Sequence, residues 1–130
     1  MRFLTPRKTA AGLGASGAAA STMKHWQMTI SSVALAILAP AFLLVLSNAI
    51  GLSRPEVLAY FARPYPAIVT ALFLVIGMNH FMHGTRIMID DYLHHTERKV
   101  AVVFSELFSW AVIAAAVYAL ARMALSGTIV

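Results

Sequence analysis

Two histidines, a glycine, an arginine and an acid–phenol pair crowd one short stretch of this chain: His80, His83, Gly84, Arg86, Asp91 and Tyr92. They close a long apolar run. Ionisable groups inside a membrane span are costly, rare and usually functional. On a helix of ~3.6 residues per turn, His80, Gly84, Ile87 and Asp91 fall nearly on one face. An imidazole with a glycine one turn away on that face suits a metal-bearing macrocycle lying close to the backbone. Asp91 and Tyr92 come at the mouth of the helix, where water begins.

Each residue has more than one reading. His80 can be a neutral buried histidine bonded to another helix, a group lining a proton path, or an axial ligand of a haem iron, since histidine holds haem in many helix bundles. A glycine within a helix costs ~1 kcal/mol against alanine and often marks a close approach. For Gly84 the approach could be a macrocycle or a packed neighbouring helix. His83 stands about one-sixth of a turn from His80, so both cannot be opposite axial ligands of one haem. The two can instead share a metal, or His83 can meet a haem propionate or a water. Arg86 can reach a propionate through a charge-assisted bond, or snorkel to the interface. Asp91 and Tyr92 can be interfacial and helix-ending. Alternatively they serve quinone reduction, with the phenol as hydrogen-bond donor to a carbonyl that gains negative charge and the carboxylate orienting it.

The chain has 130 residues, 60% of them hydrophobic and only 12% charged. Its mean hydropathy is +0.77. That is too apolar for an ordinary soluble domain. It contains no cysteine, so it cannot hold an iron–sulfur cluster by thiolates. The net charge of +5 does not indicate nucleic acid. The basic residues flank apolar runs and form no patch with interleaved aromatics, so they read as topology signals.

The composition predicts an all-α fold: an integral membrane bundle of three transmembrane helices behind a flexible N-terminal tail. The tail is residues 1–27. It is basic, and its Ala/Gly/Ser run over residues 10–21 reads as flexible or only locally ordered. The three-helix anchor is residues 28–130, with spans over about 28–50, 66–89 and 100–125, each near the ~20 residues that cross a ~30 Å hydrocarbon core. Pro40 lies inside the first span and should kink it or rely on a neighbour for the freed carbonyl. Residues 51–65 and 90–99 read as loops, the second carrying mixed charge. Glu106, near the start of the third span, should pair with a base or stay near the interface. Lysine and arginine counts place the tail and second loop on the cytoplasmic (or mitochondrial matrix) side, and the first loop and C-terminus opposite. His80 then lies ~16 Å deeper than Asp91, near the middle of the bilayer.

The pattern His80-x3-Gly84-x6-Asp91-Tyr92, at the end of the middle of three spans, resembles the smaller hydrophobic membrane anchor subunits of succinate dehydrogenase, the succinate:quinone oxidoreductase of respiratory Complex II. Lys24-His25-Trp26 before the first span resembles the alphaproteobacterial form. The resemblance covers most of the chain. It implies an anchor that is not catalytic alone and that works with a flavoprotein subunit, an iron–sulfur subunit and a second three-helix cytochrome b subunit, within membrane lipid and without nucleic acid. It implies haem b shared with that second subunit, with His80 as one axial ligand. It places Asp91 and Tyr92 at the ubiquinone site. It also implies a bacterial inner (cytoplasmic) membrane, with the N-terminus cytoplasmic and the C-terminus periplasmic. One departure stands out. Many relatives carry an arginine near the start of the first span, whereas Trp26-Gln27-Met28-Thr29 has none. Two other functions fit the residues: a haem-free structural anchor, and a small transporter subunit with His80 and His83 as relay groups.

Overall fold

The computed structural model describes residues 13–126, and the side chains of Met23 and of residues 25–126. The first twelve residues of the expected tail and residues 127–130 lie outside the described residues. Four helices follow in order: α1 (Leu13–Ala49), α2 (Arg54–Phe61), α3 (Pro64–Tyr92) and α4 (His95–Ser126). Three stretches, His25–Ala49, Pro64–Tyr92 and His95–Ser126, are long and apolar enough to cross a membrane. The chain is therefore a multi-pass membrane protein. It divides into two compact units, Met1–Ile30 and Ser31–Val130.

The first unit contains the start of α1. Helix is present from Leu13 rather than from the span boundary. Alanine is the best helix former, and Ala18 to Ala20 favour helix here despite the cost of Gly14 and Gly17. Thr29 donates its hydroxyl to the backbone oxygen of His25 at 3.0 Å, a bond back into the preceding turn that leaves no polar group stranded.

In the second unit α1 continues unbroken through Pro40 to Ala49. Near its end Ser47 Oγ and Asn48 Nδ2 both donate to the Leu44 carbonyl, at 2.8 and 2.9 Å. Gly51 then takes φ +88°, the left-handed turn that glycine adopts without a Cβ penalty. The expected loop over residues 51–65 holds the short helix α2. Ser53 starts it: its backbone N–H and its hydroxyl both donate to Glu56 Oε2 at 2.7 Å. This is the serine-to-glutamate spacing of a helix start, with Pro55 in the first turn where its missing N–H costs nothing. Shared donation from Ser53 holds the exposed Glu56 carboxyl below the usual glutamate range, its side-chain bond being the larger cause. Tyr60 of α2 reaches back to the Val45 carbonyl of α1 at 3.1 Å.

Helices α3 and α4 approach each other closely along their length. Their shared core is small: Val69, Thr70 and Ile89 from α3, with Ser105, Ser109 and Leu120 from α4. Ser109 is wholly buried at 0% exposure. Its hydroxyl donates to the Ser105 carbonyl at 2.8 Å, and that of Ser105 to Val102 at 3.0 Å. Small side chains that satisfy themselves within their own helix let two backbones come near in an apolar setting. The expected loop over residues 90–99 shrinks to a tight turn: α3 runs to Tyr92, α4 begins at His95, and His95 takes φ +54°. Helices α3 and α4 also run beyond the expected spans at both ends; α4 is 32 residues, or ~48 Å at ~1.5 Å per residue.

Candidate functional site at the histidine and the helix mouth

The second unit brings His80 of α3 against Ser31 of α1. Ser31 Oγ and His80 Nδ1 share a hydrogen bond at 2.8 Å, across 49 residues of sequence. A serine hydroxyl can accept as well as donate. When it accepts, His80 Nδ1 carries the proton and Nε2 keeps its lone pair. That is the arrangement metal-ligating histidines need, because a partner on the other ring nitrogen fixes their tautomer and orientation.

The same contact continues away from His80. Gly77 faces Leu35, and a Cβ there would lie 3.8 Å from Leu35 Cδ2, an ordinary contact. Further along, Phe42 and Phe73 stack with ring centroids 4.3 Å apart and planes 8° from parallel. By helical repeat, Gly77, His80 and Gly84 share one face of α3. The histidine therefore has a glycine on either side of it, and the side of α3 around it carries little bulk. The donor set and the small residues fit a haem iron held through His80 Nε2. Among the described residues no group of three histidine, cysteine, aspartate or glutamate side chains gathers to hold a metal ion.

His83 turns back on its own helix. Its Nδ1–H donates to the Asn79 carbonyl at 2.8 Å, because a carbonyl oxygen can only accept. Nε2 of the neutral ring is then an acceptor. It suits a water directly, and a carboxylate only when the ring is the imidazolium. Arg86 forms an ion pair with Glu106 of α4, Nη1 to Oε1 at 3.0 Å. Glu106 pairs with a base, as expected. A guanidinium carries five donors, so this pair does not exhaust Arg86.

At the mouth, Asp90 and Asp91 separate into different roles. Arg98 Nε of α4 pairs with Asp90 Oδ1 at 2.7 Å and so ties down the turn. Asp91 is exposed and has no ion pair among the described residues. Tyr92, the last residue of α3, is 78% exposed. The acid–phenol pair thus stands uncovered at the helix end, ~16 Å along the axis from His80.

Sequence reasoning missed Ser31, Gly77 and the partner of Arg86. Nothing local marks Ser31: it lies in an apolar run beside another serine, and only the packing of α1 against α3 selects it. The spacing of Gly77 and Gly84, seven apart around His80, was a readable signal.

Residues 1–121 match the sequence model of the family described as Succinate dehydrogenase/Fumarate reductase transmembrane subunit. A protein of Paracoccus denitrificans, named succinate dehydrogenase hydrophobic membrane anchor subunit, is 58% identical over 130 residues, which is 100% of this chain and 99% of the relative. No solved structure matches the chain. With the family matched over nearly its whole length and a relative aligned end to end, this chain belongs to the succinate dehydrogenase/fumarate reductase transmembrane subunit family.

Proposed function

We propose that this chain is the hydrophobic membrane anchor of a succinate:ubiquinone oxidoreductase, carrying one axial ligand of haem b and part of the ubiquinone-reduction site. It has no complete catalytic centre of its own. It works with a flavoprotein subunit that oxidises succinate, an iron–sulfur subunit that delivers electrons to the membrane surface, and a second three-helix cytochrome b subunit. It sits in the bacterial inner membrane with its N-terminus cytoplasmic and its C-terminus periplasmic. Sequence counts of lysine and arginine support this: four within residues 1–27 and three at Arg86, Arg98 and Lys99 flank the proposed cytoplasmic ends of the spans, against Arg54, Arg63 and Arg122 at the others.

The observation that carries the haem reading is the Ser31–His80 bond. Ser31 holds the imidazole so that Nε2 faces away from α1's hydroxyl and is free to bind iron. Haem b, when bound, supplies a one-electron redox centre within the membrane. Gly84 lets a flat group approach the α3 backbone. His83 and Arg86 stand one turn and nearly two turns nearer the cytoplasm, placed for a propionate. Arg86 can serve there with the donors that Glu106 leaves over.

At the helix mouth Tyr92 donates its phenolic hydrogen to a quinone carbonyl. The bond strengthens as that oxygen gains negative charge, so it assists reduction more than binding. Asp91 accepts a hydrogen bond from the donor side of the site and draws protons in from water. Asp90 is held by Arg98 and is a structural neighbour. In an intact complex purified through a tag on this chain, succinate should reduce ubiquinone. Tyr92→Phe should lower that rate by ~100-fold, the effect of removing one donor to a developing oxyanion. Succinate–dye activity, which bypasses the membrane site, should be retained. An unchanged ubiquinone rate would remove Tyr92 from the site, and absence of flavin from the purified complex would refute the assignment as a whole.

A further inference from the structure

At the opposite end of the second unit from Asp91, α2 and the last turns of α4 enclose a cleft of about 800 Å³. Arg54 and Arg122 line it from two different helices, and Leu58, Ala59, Ala119 and Met123 form apolar walls between them. We infer that this cleft holds the phosphate of an anionic phospholipid, with the start of an acyl chain along the apolar walls.

Charge supports that occupant. The chain has only five acidic residues, and Glu56 alone belongs to this end. Its Oε2 is engaged by the Ser53 N–H and hydroxyl. Neither Arg54 nor Arg122 has a carboxylate partner among the described residues. Arg122 packs over the Tyr118 ring, its guanidinium carbon 6.0 Å from the centroid, which steadies the stem and leaves the N–H groups for an anion. Two guanidiniums converging on one cleft match a phosphate diester.

Depth supports it as well. Arg122 is four residues from the end of α4, and Arg54 is five past the end of α1. A helix of ~48 Å overshoots a ~30 Å hydrocarbon core by ~9 Å at each end. The two arginines therefore stand at headgroup level, with the apolar walls leading towards the core. A free phosphate ion would leave those walls in water. A neutral apolar ligand would leave two cations unmatched.

This inference is independent of the haem and quinone reading. The test uses the intact complex, tagged on this chain, in nanodiscs of phosphatidylglycerol and phosphatidylcholine in equal parts, with retained lipid counted by native mass spectrometry. The native complex should retain phosphatidylglycerol in preference to phosphatidylcholine. At ~1 kcal/mol per arginine near a membrane surface, Arg54→Gln or Arg122→Gln should each lower that retention by roughly fivefold, and the double variant by roughly 30-fold. Arg63→Gln removes the same charge outside the cleft and should leave retention unchanged. Equal retention by the double variant and the parent, or a loss as large in Arg63→Gln, would overturn the inference. So would displacement of the lipid by millimolar inorganic phosphate. A cross-linking probe at Ala59 should capture lipid, and capture of a peptide from another subunit would put protein in the cleft instead.

Discussion

Helix α3 meets its two long neighbours in different ways. Against α4 the backbones come close, and the seam is filled by small or branched side chains; the hydroxyls of Ser105 and Ser109 turn back into their own helix, while the buried Thr70 hydroxyl has no hydrogen-bond partner among the described residues. Against the Ser31–Ala49 part of α1 the backbones stay further apart, and contact is made by groups that reach across: Ser31 to His80, Leu35 to Gly77, Phe42 to Phe73. A closed seam leaves no room for chemistry, because its atoms are already in contact with each other. The more open seam leaves an imidazole held by one nitrogen and flanked by glycines. In a chain with little buried core of its own, that contrast separates the part that holds the fold from the part where the proposed haem would be held.

The closed seam should break most sharply at Ser109. Ser109→Leu puts a branched side chain where exposure is 0%. Overpacking of this kind costs ~1–3 kcal/mol, and full burial points to the upper end. The measurement is the thermal midpoint of the assembled complex, which should fall, while Ser109→Ala should be tolerated because the lost bond lies within one helix.

On the open seam, Ser31→Ala should leave assembly intact and weaken haem retention by ~10-fold. That is the low end of the range for losing a partner of a ligating histidine, since a hydroxyl is a weaker partner than a carboxylate. A shift in the haem midpoint potential should accompany it, and Ser31→Thr should restore both. If alanine changes neither the retention nor the potential, the hydroxyl does not orient a ligand.

A smaller effect is expected at Gly77. A Cβ there meets only an ordinary 3.8 Å contact, and alanine gains ~1 kcal/mol of helix propensity over glycine. Gly77→Ala should therefore be neutral to slightly stabilising in the same thermal assay. A large loss would mean that the open seam is tighter than its side chains indicate.

The mildest effect concerns α2, which links the helices of the open seam. The Glu56 carboxyl lies below its usual value of 4.5 because of Ser53. A lowered folded value means that the stabilisation is fully present above the usual value and is lost as pH falls through the lowered one. Hydrogen-exchange protection at the Ser53 amide should drop in that acid window and nowhere above it. Glu56→Gln should abolish the pH dependence.

Much of this was legible in sequence. Three apolar runs of membrane length gave three helices, and the repeat from His80 to Asp91 put the acid–phenol pair about three turns on from the histidine, where α3 ends at Tyr92. Other features were legible but not read. Ser53 to Glu56 with Pro55 between them is a helix start, and α2 begins there. Cross-helix partners were not legible. Ser31 meets His80 across 49 residues and Arg86 meets Glu106 across 20. Periodicity does not tell which faces meet when a helix such as α1 is apolar nearly all round. Nor was the partner of Asp90 legible, since only the fold brings Arg98 of α4 onto it.

The most direct test of the central claim is a reduced-minus-oxidised visible spectrum of the complex purified through this chain, with His80→Ala beside it. The account predicts a b-type haem signal in the native complex that is lost or shifted in the variant, with the flavoprotein still attached. An identical haem spectrum in both, or no haem in the native complex, would contradict it and leave His80 as a packing residue of a haem-free anchor.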